Sequence, residues 1–436
     1  MNDQAKIWAL TIFPLLFLAD ILYGLLLHYG YSLPVTPGVL MRGSLLAISF
    51  VYVVLYYNKL PLSLRIWLFL ILSSVLPSIL VRLESGGGIS YDLLILSKTI
   101  YFPILTMFMV LLVSQGKLSH LTIVKYIEYS AYVLGLSLLI SQVLGISRPT
   151  YGTYAYGSTG IFYSQNDMTL AFGLALLAAA YRVIVVKFSL IRLLMVVLSA
   201  YACLQIGTRA SLGVVLATGL TTVALVLWNR SVSRSYIVKI SKATSGFALL
   251  AGLSVMVLSS LGQQMEFGYQ QKKLEQIQKG EFPRQLIVDA GMRQITNRPA
   301  IANYTGEGAD SFFKGTSSYY HTSDDDGRKS VEVDWVDLLG AFGIFYTVII
   351  YLFALIPCIY GAWRFLGYRE ADLGLMSAAS FLYLAYSTTV GHAFVTPIPS
   401  TLMAGYLVLF YSRKYRSPEN KFDGIQCARY NAHYPT

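Results

Sequence analysis

The sequence predicts an all-α, polytopic integral membrane protein with about twelve transmembrane helices and one long extracytoplasmic loop. Apolar runs of about 17–25 residues recur along it, the length at which a helix crosses roughly 30 Å of hydrocarbon. Hydrophobic residues make up 55% of the 436 positions. Soluble domains carry roughly 45–50%, and the distribution decides the class more than the excess does. The net charge of +11 is gathered in short Lys/Arg clusters between the runs. That is a pattern of membrane topology and not of a nucleic-acid-binding face.

The runs fall at approximately 7–27, 39–57, 64–81, 93–113, 123–144 and 161–186, then 190–206, 211–228, 243–261, 335–363, 373–390 and 394–411. The first begins after Lys6 and contains Asp20 with no small-residue cleavage site, so it reads as an uncleaved span. Arg65 and Lys98 lie at the edges of the third and fourth. Basic clusters occupy alternate connections: Lys59 and Arg65; Lys117 and Lys125; Arg182, Lys187 and Arg192; Arg230, Arg234, Lys239 and Lys242; Arg364 and Arg369. Arg413, Lys414 and Arg416 continue the pattern, whereas Arg42, Arg82, Lys98, Arg148 and Arg209 stand singly on the opposite side. The positive-inside rule then places both termini in the cytoplasm and the long loop outside. Residues 1–262 carry nine spans, 263–335 the loop, 336–412 three more spans, and 413–436 a polar, aperiodic cytoplasmic tail.

Several chemistries find no support. Cys203, Cys358 and Cys427 are dispersed, with neither a disulfide framework nor a CxxC spacing. No GxxxxGK[ST] and no GxGxxG between strand and helix is present. No His/Cys/Asp set recommends a metal, and no cofactor is implied.

The outer face holds three unusual short segments. In 148–168, Tyr151, Tyr154 and Tyr156 interleave with glycines, and Asn166 and Asp167 open the next span. Aromatic faces beside amide and carboxylate groups suit sugar rings, although tyrosines are also enriched at membrane interfaces. Arg209, in the turn Gly207-Thr208-Arg209, is a guanidinium at the membrane surface that suits phosphate oxygens. Its bland alternatives are lipid headgroups or a pair with Asp20. Gly391-His392, before Pro397 and Pro399, reads as structural.

Within the loop, 284–296 reads as a short amphipathic helix with Val288, Met292 and Ile295 on one face. Asp289 and Arg293 form an i, i+4 pair, so Arg293 has a local explanation and Arg284, after Pro283, has none. Gly306-Glu307-Gly308 is a turn of the kind that can offer backbone N–H groups to phosphate, a weak signal. Asp324, Asp325 and Asp326 read as solvated. Glu332, Asp334 and Asp337 lead directly into a span. Asp334 and Asp337 share a face there, where carboxylates can be tuned as bases or can simply favour the helix dipole.

The segments GIFYSQNDMTLAFGLALL with Asn166, GTRASLG with Arg209, and EVDWVDLLGAFGIFYTVIIYL resemble the O-antigen polymerase and ligase superfamily, specifically the Wzy-type polymerases of bacterial surface polysaccharides. The resemblance extends to the topology, a dozen or so spans with one long late loop. The ligases carry His-Asn-x-x-Leu-x-x-Leu-x-Glu-x-Gly before a span. Setting its Gly on Gly343 puts Glu332 in place of that His and Ala341 in place of that Glu, a departure that favours a polymerase over a ligase. The resemblance implies glycosyl transfer on the periplasmic face of the inner membrane, between undecaprenyl-diphosphate-linked glycans. It also implies a flippase and a chain-length regulator as partners. Under it, Arg209 and Arg284 are candidates for the diphosphate, Glu332 for the base and Asp337 for a second choice. Arg293, Asn166, Tyr156 and Asp334 are candidates for binding diphosphate or glycan. A lipid-linked oligosaccharide flippase is the competing class, but its functional charges belong near mid-membrane, where only Asp20 and edge residues such as Glu128 stand.

Overall fold

The computed structural model describes residues 3–85, 88–150, 157–162, 165–186, 188–228, 283–320 and 327–415. The run at 243–261, the loop before residue 283, Tyr156 and the tail after residue 415 lie outside the described residues. Among the described residues the chain is helical, with one isolated bridge between Arg148 and Gly160. Among the described residues seven helices are long and apolar enough to cross a membrane, and shorter apolar helices cover Leu190–Gln205, Arg209–Leu225 and Pro397–Tyr411.

The first expected span is two helices, α1 (Asp3–Ile12) and α2 (Pro14–His28), because Pro14 starts α2 in place of continuing α1. Next come α3 (Pro37–Leu55), α4 (Leu62–Ser85), α5 (Ile89–Ser114) and α6 (His120–Val143). The run at 161–186 starts later than its apolar character suggests, as α7 (Gln165–Tyr181), and ends in a π turn, Arg182–Val186. Then follow α8 (Leu190–Gln205) and α9 (Arg209–Trp228). α5 and α7 are the enclosed helices, lined by Phe102, Phe108, Leu170 and Phe172 at no exposure. α3 and α4 turn Leu40, Leu55, Phe69 and Leu80 outward, as a lipid-facing rim allows.

The loop folds into α10 (Pro283–Asn297), α11 (Ala302–Thr305) and α12 (Ala309–Tyr320). The expected amphipathic helix is α10, with Ile287 and Ile295 buried and Arg293 on its exposed side. α12 packs on α5 and on α13 (Asp334–Tyr368), which α14 (Ala371–Thr389) and α15 (Pro397–Tyr411) accompany. The last span begins at Pro397 and not at Phe394, because 391–396 form a turn held by Asp334.

α13 is 35 residues long and is broken at Gly343 (φ 79°, ψ 177°). The break leaves carbonyls without helical partners, and the loop supplies them. Arg298, buried, donates from Nη1 to the carbonyls of Gly340 (3.1 Å) and Leu339 (3.3 Å). The amides of Glu307 and Gly308 donate to the carbonyls of Gly340 and Ala341, each at 2.9 Å. The Gly306-Glu307-Gly308 turn therefore spends those N–H groups on a broken helix and not on a phosphate. A Cβ at Gly343 would lie 2.1 Å from the Tyr304 carbonyl oxygen. Gly343→Ala is expected to lose at least about 2 kcal/mol through left-handed strain and this clash. A lower melting temperature of the purified protein checks it.

Candidate functional site

The segment before α13 and the turn before α15 meet at the end of the bundle covered by α10–α12. Asp334, the first residue of α13, is fully buried. Its Oδ1 accepts from the amide of His392 (2.8 Å) and its Oδ2 from those of Ala393 (2.7 Å) and Phe394 (3.0 Å). Asp337, one turn on, accepts from Ser330 Oγ (2.7 Å) and the Val331 amide (2.9 Å). Both carboxylates are thus turned inward as clamps on the two loops. A carboxylate with such partners is satisfied, and removing it would leave buried N–H groups unpaired. This geometry suits Asp337 less to the base role, and Asp334 less to ligand binding, than their sequence positions suggest.

Between the clamps the backbone is strained. Glu332 and His392 both have φ of 63°, and Arg369 is the other non-glycine with positive φ among the described residues. Each such residue costs on the order of 1–3 kcal/mol. The two turns touch: a Cβ on Gly391 would lie 1.9 Å from the Glu332 carbonyl oxygen. The Glu332 carboxylate keeps 30% of its side-chain exposure and lies 3.4 Å from Lys329 Nζ. His392 is half-buried, and its ring is within electrostatic reach of Asp334 and Asp337. The turn after it is rigid, since Tyr383 Oη (2.8 Å) and Ser400 Oγ (3.0 Å) both donate to the Ala393 carbonyl.

A second group fastens the loop to α4 and α5. Arg82 binds Asp92 (2.8 Å) and Ser311 Oγ (3.0 Å), and the Asp310 amide donates to Asp92 Oδ1 (2.8 Å). Asp310 in turn holds Arg328 (2.6 Å) and Lys314 (2.9 Å), and Arg328 lies 4.3 Å over the Tyr91 ring. Burial works to raise the Asp310 pKa, but the hydrogen bonds and charges of Lys314 and Arg328 outweigh it and hold the carboxyl below its ordinary range. A depressed folded value means stability present above the unfolded pKa and lost as pH falls through the folded one. Melting temperature is therefore expected to drop below about pH 4, and Asp310→Asn to flatten that drop.

Arg209 is the first residue of α9, and Thr208 caps the helix through the Ser211 amide (3.0 Å). The guanidinium is exposed and forms no ion pair among the described residues. The Asp20 alternative fails, because Asp20 binds Arg42, with Nη1 to Oδ1 at 3.0 Å. Arg293 is exposed, and the expected pair with Asp289 does not form among the described residues. Arg284 lies in the first turn of α10. Asn166, near the start of α7, takes Tyr386 Oη on its carbonyl (2.9 Å), which joins it to the end of α14. Beside it, Asp167 faces Lys98, a half-buried cation within the span of α5. Glu332, Asp334 and Asp337 are thus brought together, and Asn166 is tied to the same end. No described contact joins Arg209 or Arg293 to them.

From the sequence Lys98 reads as an edge cation and His392 as structural. Intramembrane charge is an available signal for Lys98, whereas nothing local foretells the backbone contact of Gly391 with the Glu332 carbonyl. The arrangement offers one partly exposed carboxylate, Glu332, for proton transfer, while the exposed guanidinium of Arg209 stands apart from it with no described contact. Residues 7–281 match the family model described as O-antigen ligase like membrane protein. That stretch includes Lys98, Asn166 and Arg209 and ends before α10. No curated protein matches the chain.

Proposed function

The chain belongs to the O-antigen ligase like membrane protein family, and from that premise we propose that it polymerises undecaprenyl-diphosphate-linked repeat units into surface polysaccharide. The observation that carries the reading is Glu332, a carboxylate held on a strained turn where the ligase pattern would have its His. In this scheme the site faces the periplasm. A hydroxyl of the incoming lipid-linked unit attacks the anomeric carbon of the growing glycan, Glu332 takes the proton, and undecaprenyl diphosphate leaves. Arg209 and Arg284 meet the charge that develops on the diphosphate. Asn166, Tyr156 and Arg293 contribute to binding the glycan or diphosphate, and Asp334 and Asp337 hold the turns that present Glu332.

The family description itself favours a second reading, ligation of finished polymer to a lipid acceptor. Deleting the gene separates the two. Loss of polymerisation leaves surface glycan as single repeat units. Loss of ligation leaves full-length polymer on its lipid carrier. Repeat units trapped on the cytoplasmic side would instead indicate a flippase.

A further inference from the structure

A separate cluster of charges lies at the end of the bundle away from the loop. α7 begins at the loop end, where Asn166 meets Tyr386, and its far end passes into the π turn Arg182–Val186. Glu128 stands two turns into α6, and its carboxylate is fully buried. Its Oε1 accepts from Tyr132 Oη (2.6 Å) and lies 3.7 Å from Arg192 Nε, in the first turn of α8. Its Oε2 lies 2.8 Å from Arg182 Nε. Lys125, one turn before Glu128 on α6, stands 5.3 Å over the Tyr129 ring. Tyr129 and Tyr132 are both within electrostatic reach of Arg182.

One carboxylate offsets only one of these three cations, so the cluster carries net positive charge where three helices meet inside or at the edge of their spans. Charge there is costly without an anionic partner. Arg182 shows the deficit most plainly. It is only 5% exposed, and its Nη1 has no hydrogen-bond partner among the described residues, whereas buried N–H groups are nearly always paired. The π turn that carries it is a backbone feature frequent at functional sites. The cluster is also open on one side, since the Arg192 side chain keeps 30% of its exposure and Lys125 is half-buried. The surface beside that opening is apolar, with Leu190, Ile191 and Leu194 of α8 all exposed.

We propose that the cluster between α6, α7 and α8 binds the headgroup phosphate of an anionic phospholipid, in the leaflet away from the loop. Guanidinium forks match phosphate oxygens, and basic pockets between transmembrane helices take such headgroups. Arg192 and Lys125 meet the phosphate at the rim, and Arg182 adds its charge from behind them. The exposed leucines and Ile191 give the acyl chains a track along α8, which a free anion would not use. The site is independent of the transfer reaction and lies at the opposite end from Glu332.

The test titrates the delipidated full-length protein in neutral detergent with phosphatidylglycerol and counts bound lipid by native mass spectrometry, with phosphatidylcholine as the control. One phosphatidylglycerol per chain should be held in preference to phosphatidylcholine. Arg192→Gln and Lys125→Gln are each expected to weaken it about fivefold, and the double variant about twenty-five-fold. Both side chains reach the surface, so the lipid-free variants should melt near the wild-type temperature. Phosphatidylglycerol should raise the wild-type melting temperature and leave that of the double variant almost unchanged. Equal uptake of the two lipids, or a double variant that binds phosphatidylglycerol as the wild type does, overturns the site. Inorganic phosphate that stabilises the wild type as well as phosphatidylglycerol does, at the same concentration, overturns its assignment to a lipid.

Discussion

Glu332→Gln is expected to lower kcat for transfer by about a hundredfold or more, the usual scale for losing a positioned base. The amide keeps the volume and the left-handed backbone but cannot take a proton. It should leave the melting temperature near that of the wild type, because Asp334 and Asp337, and not Glu332, clamp the two turns. Glu332→Asp should recover part of the rate if the carboxylate is what matters. A Gln variant that transfers normally would remove Glu332 from the reaction and leave the strain at φ 63° to be explained some other way.

Arg209→Ala is expected to cost about a hundredfold to a thousandfold in transfer, by analogy with removing one donor from a developing anion. The guanidinium forms no ion pair among the described residues, so its loss breaks no internal contact that the structure shows. Membrane expression should therefore persist. Arg209→Lys should restore only part of the rate, since an ammonium supplies charge without the planar fork. If Arg209 merely touches lipid headgroups, both variants will elongate glycan to normal length, and the diphosphate role falls. Arg284→Ala tests the second proposed cation in the same assay.

The membrane character and most helix positions were legible because hydrophobic run length is a local property. α10 was legible for the same reason, its apolar stripe being readable over a few turns. Gly343 was not. Its conformation answers to the Tyr304 carbonyl and the Gly306 amide, some forty residues earlier in the chain. The partners that heal the break, Arg298, Glu307 and Gly308, include the turn that sequence alone offered to phosphate. Arg82 was visible only as an isolated cation, because Asp92 and Ser311 reach it from α5 and from the distant loop.

The site was half legible. Glu332, Asp334 and Asp337 read in the sequence as carboxylates entering a span, but spacing alone does not say which are satisfied. The amides of residues 392–394 decide that for Asp334, and Ser330 and Val331 decide it for Asp337. His392 reads as structural in the sequence, since a single histidine carries little signal until its neighbours are known.

Bond formation between lipid-linked units is the central claim. The purified full-length protein in liposomes, given an undecaprenyl-diphosphate-linked repeat unit as sole glycan, should produce lipid-linked products that grow by one repeat at a time and release undecaprenyl diphosphate. Substrate recovered intact, whether left in place or moved across the bilayer, would contradict it, as would transfer that occurs only once a lipid A core acceptor is added.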